Sequence, residues 1–154
     1  MLQASAVAID GRALLIEGPP GSGKSTLALA LIDRGAGLIG DDAVTLAASA
    51  GVLIASPPPN IAGLIEVRGI GLVRLPLAPS CPAALILTLG GPVAARLPDA
   101  PLPRREIAGV ALPVLAFDPG PLAPAVRAEW ALRIHGLAFD PSSLCPGQTP
   151  HSDQ

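Results

Sequence analysis

Apolar residues fall in short blocks along this chain, and a glycine or proline closes almost every block. Ala4–Ile9 alternates weakly and predicts a first strand. Asp10-Gly11 is a two-residue hairpin signal, and the unbroken apolar run Ala13–Ile16 after it predicts a buried strand. Gly18–Gly23 reads as loop. Ser25 to about Asp33 reads as a helix that Gly35 stops. Gly37–Gly40 predicts a short strand that delivers two adjacent acids, Asp41 and Asp42. Val44–Leu46 and Val52–Ala55 predict a β pair around Ala50-Gly51, and the proline-rich Ser56–Pro59 breaks it off.

The second half repeats the pattern. Leu64–Val67 is apolar except for Glu66 and leads into Arg68-Gly-Ile-Gly71. Ala83–Leu89 predicts a strand that Gly90-Gly91-Pro92 ends. Arg96–Arg105 contains three prolines and most of the local charge, which predicts a mobile loop. Val110–Phe117 predicts another strand, with Pro113 marking an edge or a bulge. Pro124 to about Gly136 predicts a last helix with proline in its first turn. Val126, Trp130 and Ile134 fall four apart on one of its faces and are its expected core residues. The polar, proline- and glycine-bearing segment 141–154 predicts a disordered tail beyond a single domain over 1–140. No internal repeat is visible, and nineteen prolines favour short strands over long helices.

Composition narrows the picture. Half of the 154 residues are hydrophobic and 14% are charged, so one domain with a real core is expected. No apolar run approaches the ~18 residues of a membrane span. The first ten residues lack the basic start and long apolar stretch of a signal peptide, so a cytoplasmic protein is expected. A net charge of −2 without a basic block argues against nucleic-acid binding. The nearest approach, Arg104–Arg105, reads as a solvated loop pair. Cys81 and Cys145 are far apart, each precedes a proline, and neither has zinc-ligand spacing, so both read as reduced thiols.

Nine of the ten basic residues are arginine, and the only lysine is Lys24. It lies in Gly18-Pro19-Pro20-Gly21-Ser22-Gly23-Lys24-Ser25, followed by Thr26, which fits G-x-x-x-x-G-K-[ST] at every fixed position. Its context fits as well, between a predicted strand and a predicted helix. The glycines let successive N–H groups turn inward onto phosphate oxygens, and the helix start adds partial positive charge. A compact ammonium fits between phosphates where a broad guanidinium does not. Lys24 would reach the β/γ-phosphates, and the Ser25 hydroxyl would ligate Mg²⁺.

Asp41 and Asp42 follow Lys24 by only 17 and 18 residues. A strand that short can lie beside the strand leading into the phosphate loop, so both acids would emerge near the phosphates. One could steer Mg²⁺ while the other accepts a proton from an attacking hydroxyl. The structural alternative is an Asp-Asp turn that caps a strand. Glu66 and Arg68 stand two apart, on one face if extended. Their chemistry reads equally as a metal-ligating acid beside a phosphate-contacting cation, or as a surface salt bridge.

These residues resemble the catalytic, C-terminal domain of bacterial HPr kinase/phosphorylase. The phosphate loop, the following "ALALIDRGAGLIGDDAV", the Lys24–Asp41 spacing and "LIEVRGIGLV" at Leu64–Val73 carry the resemblance. It is firm over residues 3–75 and loose over 76–138. It implies an α/β fold with a mixed sheet around a P-loop core of the phosphoenolpyruvate carboxykinase type. It also implies transfer of phosphate from ATP to a serine of HPr, the phosphocarrier protein of the sugar phosphotransferase system. The reverse reaction would use inorganic phosphate and release pyrophosphate.

Carried over residue by residue, Asp41 would be the catalytic acid/base with Asp42 in support and Lys24 on the phosphates. Ser25 and Glu66 would lie near Mg²⁺. Arg68 and Arg96 would be phosphate contacts. Gln3 stands where members often carry a histidine, and Gln exchanges no proton near neutral pH. The 154 residues hold no counterpart of the regulatory N-terminal domain of longer members, although shorter members exist. A homo-oligomer is among the expectations. Two other functions compete: a same-fold kinase with another acceptor, and a nucleotide-binding regulatory module without turnover. His135 reads as structural or exposed.

Overall fold

The computed structural model describes residues 1–59, 63–93, 98 and 101–139. Arg96, Cys145 and the expected tail lie outside the described residues. Among the described residues ten strands and two helices run in the order β1 Ser5–Ile9, β2 Arg12–Glu17, α1 Lys24–Asp33, β3 Gly37–Gly40, β4 Thr45–Ser49, β5 Val52–Ser56, β6 Leu64–Val67, β7 Gly71–Arg74, β8 Cys81–Thr88, β9 Arg104–Ile107, β10 Val110–Ala116 and α2 Pro124–His135.

The main sheet has the order β3-β1-β2-β8-β10-β9. The β4–β5 hairpin joins it through β5, which pairs the start of β8. Strands β2, β8 and β10 are parallel to one another, while β1 is antiparallel to both β2 and β3. The expected α/β class with a mixed sheet is the one formed. Because β3 therefore runs with β2, the C-terminal ends of β3, β2, β8 and β10 share one edge of the sheet. That is the edge where open α/β sheets bind ligands.

Both faces of the sheet are covered, which explains why β2 and β8 are continuous apolar runs rather than alternating ones. One face packs Leu14, Ile16, Leu85 and Leu87 under α1 and α2. The other packs Leu15, Ile39, Leu53, Ile86 and Leu112 with the β4–β5 hairpin. The hairpin turns follow the sequence signals. Asp10 and Gly11 have φ of 51° and 80°, and Ala50 and Gly51 have 53° and 79°. These pairs of positive φ match the right-handed twist of the flanking strands. Gly35, at φ 112°, closes α1, with its N–H donating to Ile32 O at 3.0 Å.

Three expectations need correction. Val126, Trp130 and Ile134 are not the core face of α2. Trp130 and Ile134 are 53% and 68% exposed, and the buried residues are Ala125, Ala128, Ala131 and Leu132. These residues pack in one cluster with Leu27, Ala28 and Leu31 of α1, and beyond the end of α1 Arg34 Nε reaches both carboxylate oxygens of Glu129 at 3.0 Å. Arg104 and Arg105 are not loop residues; they lie in β9, and Arg105 is paired with Glu17. Pro113 marks neither an edge strand nor a bulge. Its strand pairs β9 over Val110–Pro113 and β8 over Val114–Ala116, so the proline sits where one ladder hands over to the other.

Candidate active site

β2 leads directly into the phosphate loop. Gly23, the residue before α1, has φ 100°, a left-handed conformation that glycine tolerates best. No side chain caps the helix start and no acid lies in its first turn, so its N–H groups remain for an anion. The loop also fits tightly under the sheet edge. A Cβ on Gly18 would come within 3.1 Å of both Leu89 Cβ and Leu89 O. Ser22 Oγ is buried without a hydrogen-bond partner among the described residues. An orphaned hydroxyl inside a cradle of amides suits a phosphate oxygen.

The short β3 delivers the two aspartates, as the spacing predicts, and the fold gives them different surroundings. Asp41 is held by three donors. Ser25 Oγ donates to its Oδ1 at 2.6 Å, Ser5 Oγ donates to the same oxygen at 2.9 Å, and the Glu66 N–H donates to Oδ2 at 3.1 Å. Asp42 turns outward at φ 65°, a conformation that aspartate adopts more readily than most residues. Its side chain is 61% exposed, with Oδ1 3.7 Å from Lys24 Nζ. Lys24 is otherwise well covered and donates to Gly18 O at 2.7 Å.

The β6–β7 hairpin closes the site from the other side. A cavity of about 740 Å³ collects Gly18–Thr26, Asp41, Asp42, Glu66 and Arg68, with Gln3, Leu64 and Leu72 on its rim. Each predicted site residue within the described part therefore lines one cavity, the Asp-Asp pair included. Glu66 and Arg68 are exposed at the hairpin and do not pair with each other, which disfavours the surface salt bridge.

Sequence reasoning missed Ser5. It is the one buried polar residue in the core of the described chain, and it also accepts from the Asp42 N–H at 3.4 Å. Its signal was available, since it is a lone hydroxyl in the apolar strand Ser5-Ala-Val-Ala-Ile. Glu17 and Arg105 were missed as well. Their ion pair, at 2.6 Å, ties β9 to the residue just before the phosphate loop.

A magnesium ion suits this donor set better than a transition metal. Mg²⁺ typically takes one or two carboxylates together with substrate phosphates rather than an all-protein cage. Ser25, the two aspartates and Glu66 provide hydroxyl and carboxylate oxygens around the cavity. Among the described residues no three His, Cys, Asp or Glu side chains converge on a metal position.

The strand, loop and helix have the form of a P-loop on a mixed α/β sheet. The family model for the HPr serine kinase C-terminal domain matches residues 1–77, and the chain belongs to that family. HPr kinase/phosphorylase of Clostridium botulinum (strain Eklund 17B / Type B) is 51% identical over 67 residues, 44% of this chain and 22% of that protein. The protein of the same name from Bordetella pertussis is 52% identical over 66 residues, 42% of this chain and 21% of that protein. The matched stretch thus spans about a fifth of the length of these curated relatives. The solved structure of the HPr(Ser) kinase/phosphatase from Coxiella burnetii superimposes with a TM-score of 0.71 at 31% identity. It covers 86% of this chain and 88% of that one. No helix among the described residues is long and apolar enough to cross a membrane.

Proposed function

We propose that this chain is an ATP-dependent protein serine kinase that acts on HPr and runs in reverse as a phosphorylase. The observation that carries the reading is the set of bonds on Asp41. The phosphate-loop Ser25 and the backbone of Glu66, from the hairpin signature, both donate to that one carboxylate. Three separated sequence motifs meet at a single atom group.

In this reading the loop amides, Lys24 and Ser22 hold the phosphates of ATP, with Arg68 and Arg96 as further contacts. Ser25 and Glu66 would hold Mg²⁺, which when bound would offset the negative charge of the phosphates. Asp41 takes the proton of the incoming serine hydroxyl as its oxygen bonds to the γ-phosphorus. The bond from that phosphorus to the β–γ bridging oxygen breaks, and ADP leaves. In reverse, an oxygen of inorganic phosphate bonds to the phosphoserine phosphorus. The serine oxygen departs with the proton from Asp41, and pyrophosphate is formed. Asp42 keeps Lys24 facing the site. A cytoplasmic protein, free to self-associate and binding neither membrane nor nucleic acid, accords with this reading.

Two observations favour specific alternatives. Both oxygens of Asp41 are already accepting hydrogen bonds while Asp42 is exposed, which favours an exchange of roles between the two acids. Gln3 lines the cavity with a side chain that cannot relay a proton, which favours a nucleotide switch without turnover. One experiment separates these readings. The protein is incubated with γ-labelled ATP, Mg²⁺ and HPr from its own organism, beside Asp41→Asn and Asp42→Asn. Label on an HPr serine, lost in Asp41→Asn and released as pyrophosphate on adding phosphate, supports the proposal. Loss in Asp42→Asn alone transfers the acid/base role. ATP binding without label in any sample points to the switch, or to another acceptor.

A further inference from the structure

Asp41 and Asp42 occupy a short turn, residues 40–43, that the backbone clamps at both ends. At one end Gly40 pairs Ala6 of β1. At the other, Leu2 and Val44 exchange backbone hydrogen bonds of 2.8 and 3.0 Å. Between the clamps the turn folds back so tightly that a Cβ on Gly40 would run into Ala43 O, and Asp42 takes φ 65°. Residues 3–5 face this turn, and there a side chain takes the place of the ladder.

A serine hydroxyl has one proton to give and two lone pairs to receive. Ser5 Oγ donates its proton to Asp41 Oδ1 at 2.9 Å and accepts from the Asp42 N–H at 3.4 Å. One hydroxyl thus holds the side chain of one acid and the backbone of the other. Ser5 is fully buried and does not line the phosphate cavity, so it acts through the acids in front of it.

The three donors on Asp41 differ in what carries them. Ser25 opens α1 and is itself assigned to Mg²⁺ in the proposed function. The Glu66 N–H comes from the β6–β7 hairpin, which forms a two-stranded sheet of its own, and the Glu66 side chain has the same assignment. Ser5 lies on β1, between β2 and β3 in the main sheet, opposite Ile16 just ahead of the phosphate loop. It is the donor without a second duty. We infer that Ser5 is a positioning residue for phosphate transfer: it fixes the Asp41 carboxylate and the turn at Asp42 against the central sheet, so that the acid/base stays aimed whatever the cavity contains. The inference rests on the proposed reading of Asp41 as that acid/base.

The test measures transfer from γ-labelled Mg-ATP to HPr in the parent, Ser5→Ala, Ser5→Thr and Ser5→Cys, with ATP affinity by calorimetry. Ser5→Ala removes the hydroxyl with little change of volume. Its kcat should fall about 10–100-fold while the KM and affinity for ATP stay at the parent's values. Ser5→Thr keeps a hydroxyl and should restore most of the rate; Ser5→Cys, a weaker donor, should fall between. In an Asp41→Asn background, Ser5→Ala should lower the remaining rate by no more than about twofold, because nothing is left to aim. A second readout needs no turnover. In nucleotide-free protein the amides of Asp42 and Glu66 should exchange with solvent about tenfold faster in Ser5→Ala, while those of Leu2 and Val44 keep the parent's rates. An unchanged kcat in Ser5→Ala or Ser5→Cys, an equal further loss in the Asp41→Asn background, or a folded Ser5→Thr protein as slow as Ser5→Ala overturns the inference. So does a uniform rise in amide exchange with ATP affinity lost, which makes Ser5 a packing residue only. A parent that binds ATP but labels no HPr, or an Asp41→Asn protein as active as the parent, overturns the proposed reading of Asp41 and the inference with it.

Discussion

Residues 1–77 and residues 78–139 contribute to this domain in different ways. The first part contains the phosphate loop, both aspartates and the Glu66–Gly71 hairpin, and it is the part that the family model matches. The second part contains β8, whose first seven residues are all buried and which pairs β2, β5 and β10. The motif-bearing part thus lacks the strand that its own phosphate-loop strand leans on. Chemistry fixes residue identity, because a phosphate cradle needs glycines and a lysine. A central strand needs only apolar bulk of the right shape. The structural match to the Coxiella burnetii protein, over 86% of the chain, extends beyond the motifs for that reason.

Four experiments sharpen or break this contrast. The largest effect is expected at Asp41. Asp41→Asn should lower phosphate transfer by about 10²–10⁴-fold, the usual reach of general acid–base catalysis, while the melting temperature stays near that of the parent. A large loss of stability instead would show that the three donors on Asp41 hold the fold, and the contrast between the parts would fail. Next comes Leu85→Ala in the middle of β8. Leu85 is fully buried, and the truncation should cost about 2–5 kcal/mol in denaturant unfolding. A cost well below this range would mean that the second half is loosely packed.

Arg105 and Glu17 bridge the two parts. Their side chains are 41% and 17% exposed, so solvent screens the pair despite its short distance. A double-mutant cycle should return a coupling of about 0.2–1 kcal/mol. A larger coupling, accompanied by weaker ATP binding in Arg105→Ala, would make β9 a support of the phosphate loop. The smallest effect is expected for Trp130→Ala. The ring is half exposed and contacts Arg133, whose guanidinium carbon lies 4.9 Å from its centre. Stability should change by no more than about 0.5 kcal/mol. A cost of several kcal/mol at micromolar concentration that falls on dilution would reveal that another chain covers this face.

Much of the site could be read in advance. Lys24, Ser25, Asp41 and Asp42 were placed together from motif and spacing, Glu66 joined them only through the family resemblance, and all five line the cavity. Ser5 could not be placed so easily, because its partner Asp41 is 36 residues away and only the β1–β3 pairing brings them together.

The same division runs through the fold. By itself the sequence determined what depends on local backbone geometry. The turns at Asp10-Gly11 and Ala50-Gly51, the loop into α1 and the stop at Gly35 follow from residues that accept positive φ, whatever surrounds them. The apolar blocks determined where most strands run, since buried strands need no partner to be recognised. Tertiary structure decided the rest. On α2 the stripe Val126–Trp130–Ile134 and the stripe through Ala125, Ala128 and Leu132 have equally helical spacing. The small side chains went inward, where they pack in one cluster with Leu27, Ala28 and Leu31 of α1, while Trp130 stayed outside. The pairing of Arg105 with Glu17 spans 88 residues, and the position of Pro113 depends on which strand pairs each half of β10. Periodicity specifies a face; only the distance to the neighbouring element specifies which face is buried and what fits there.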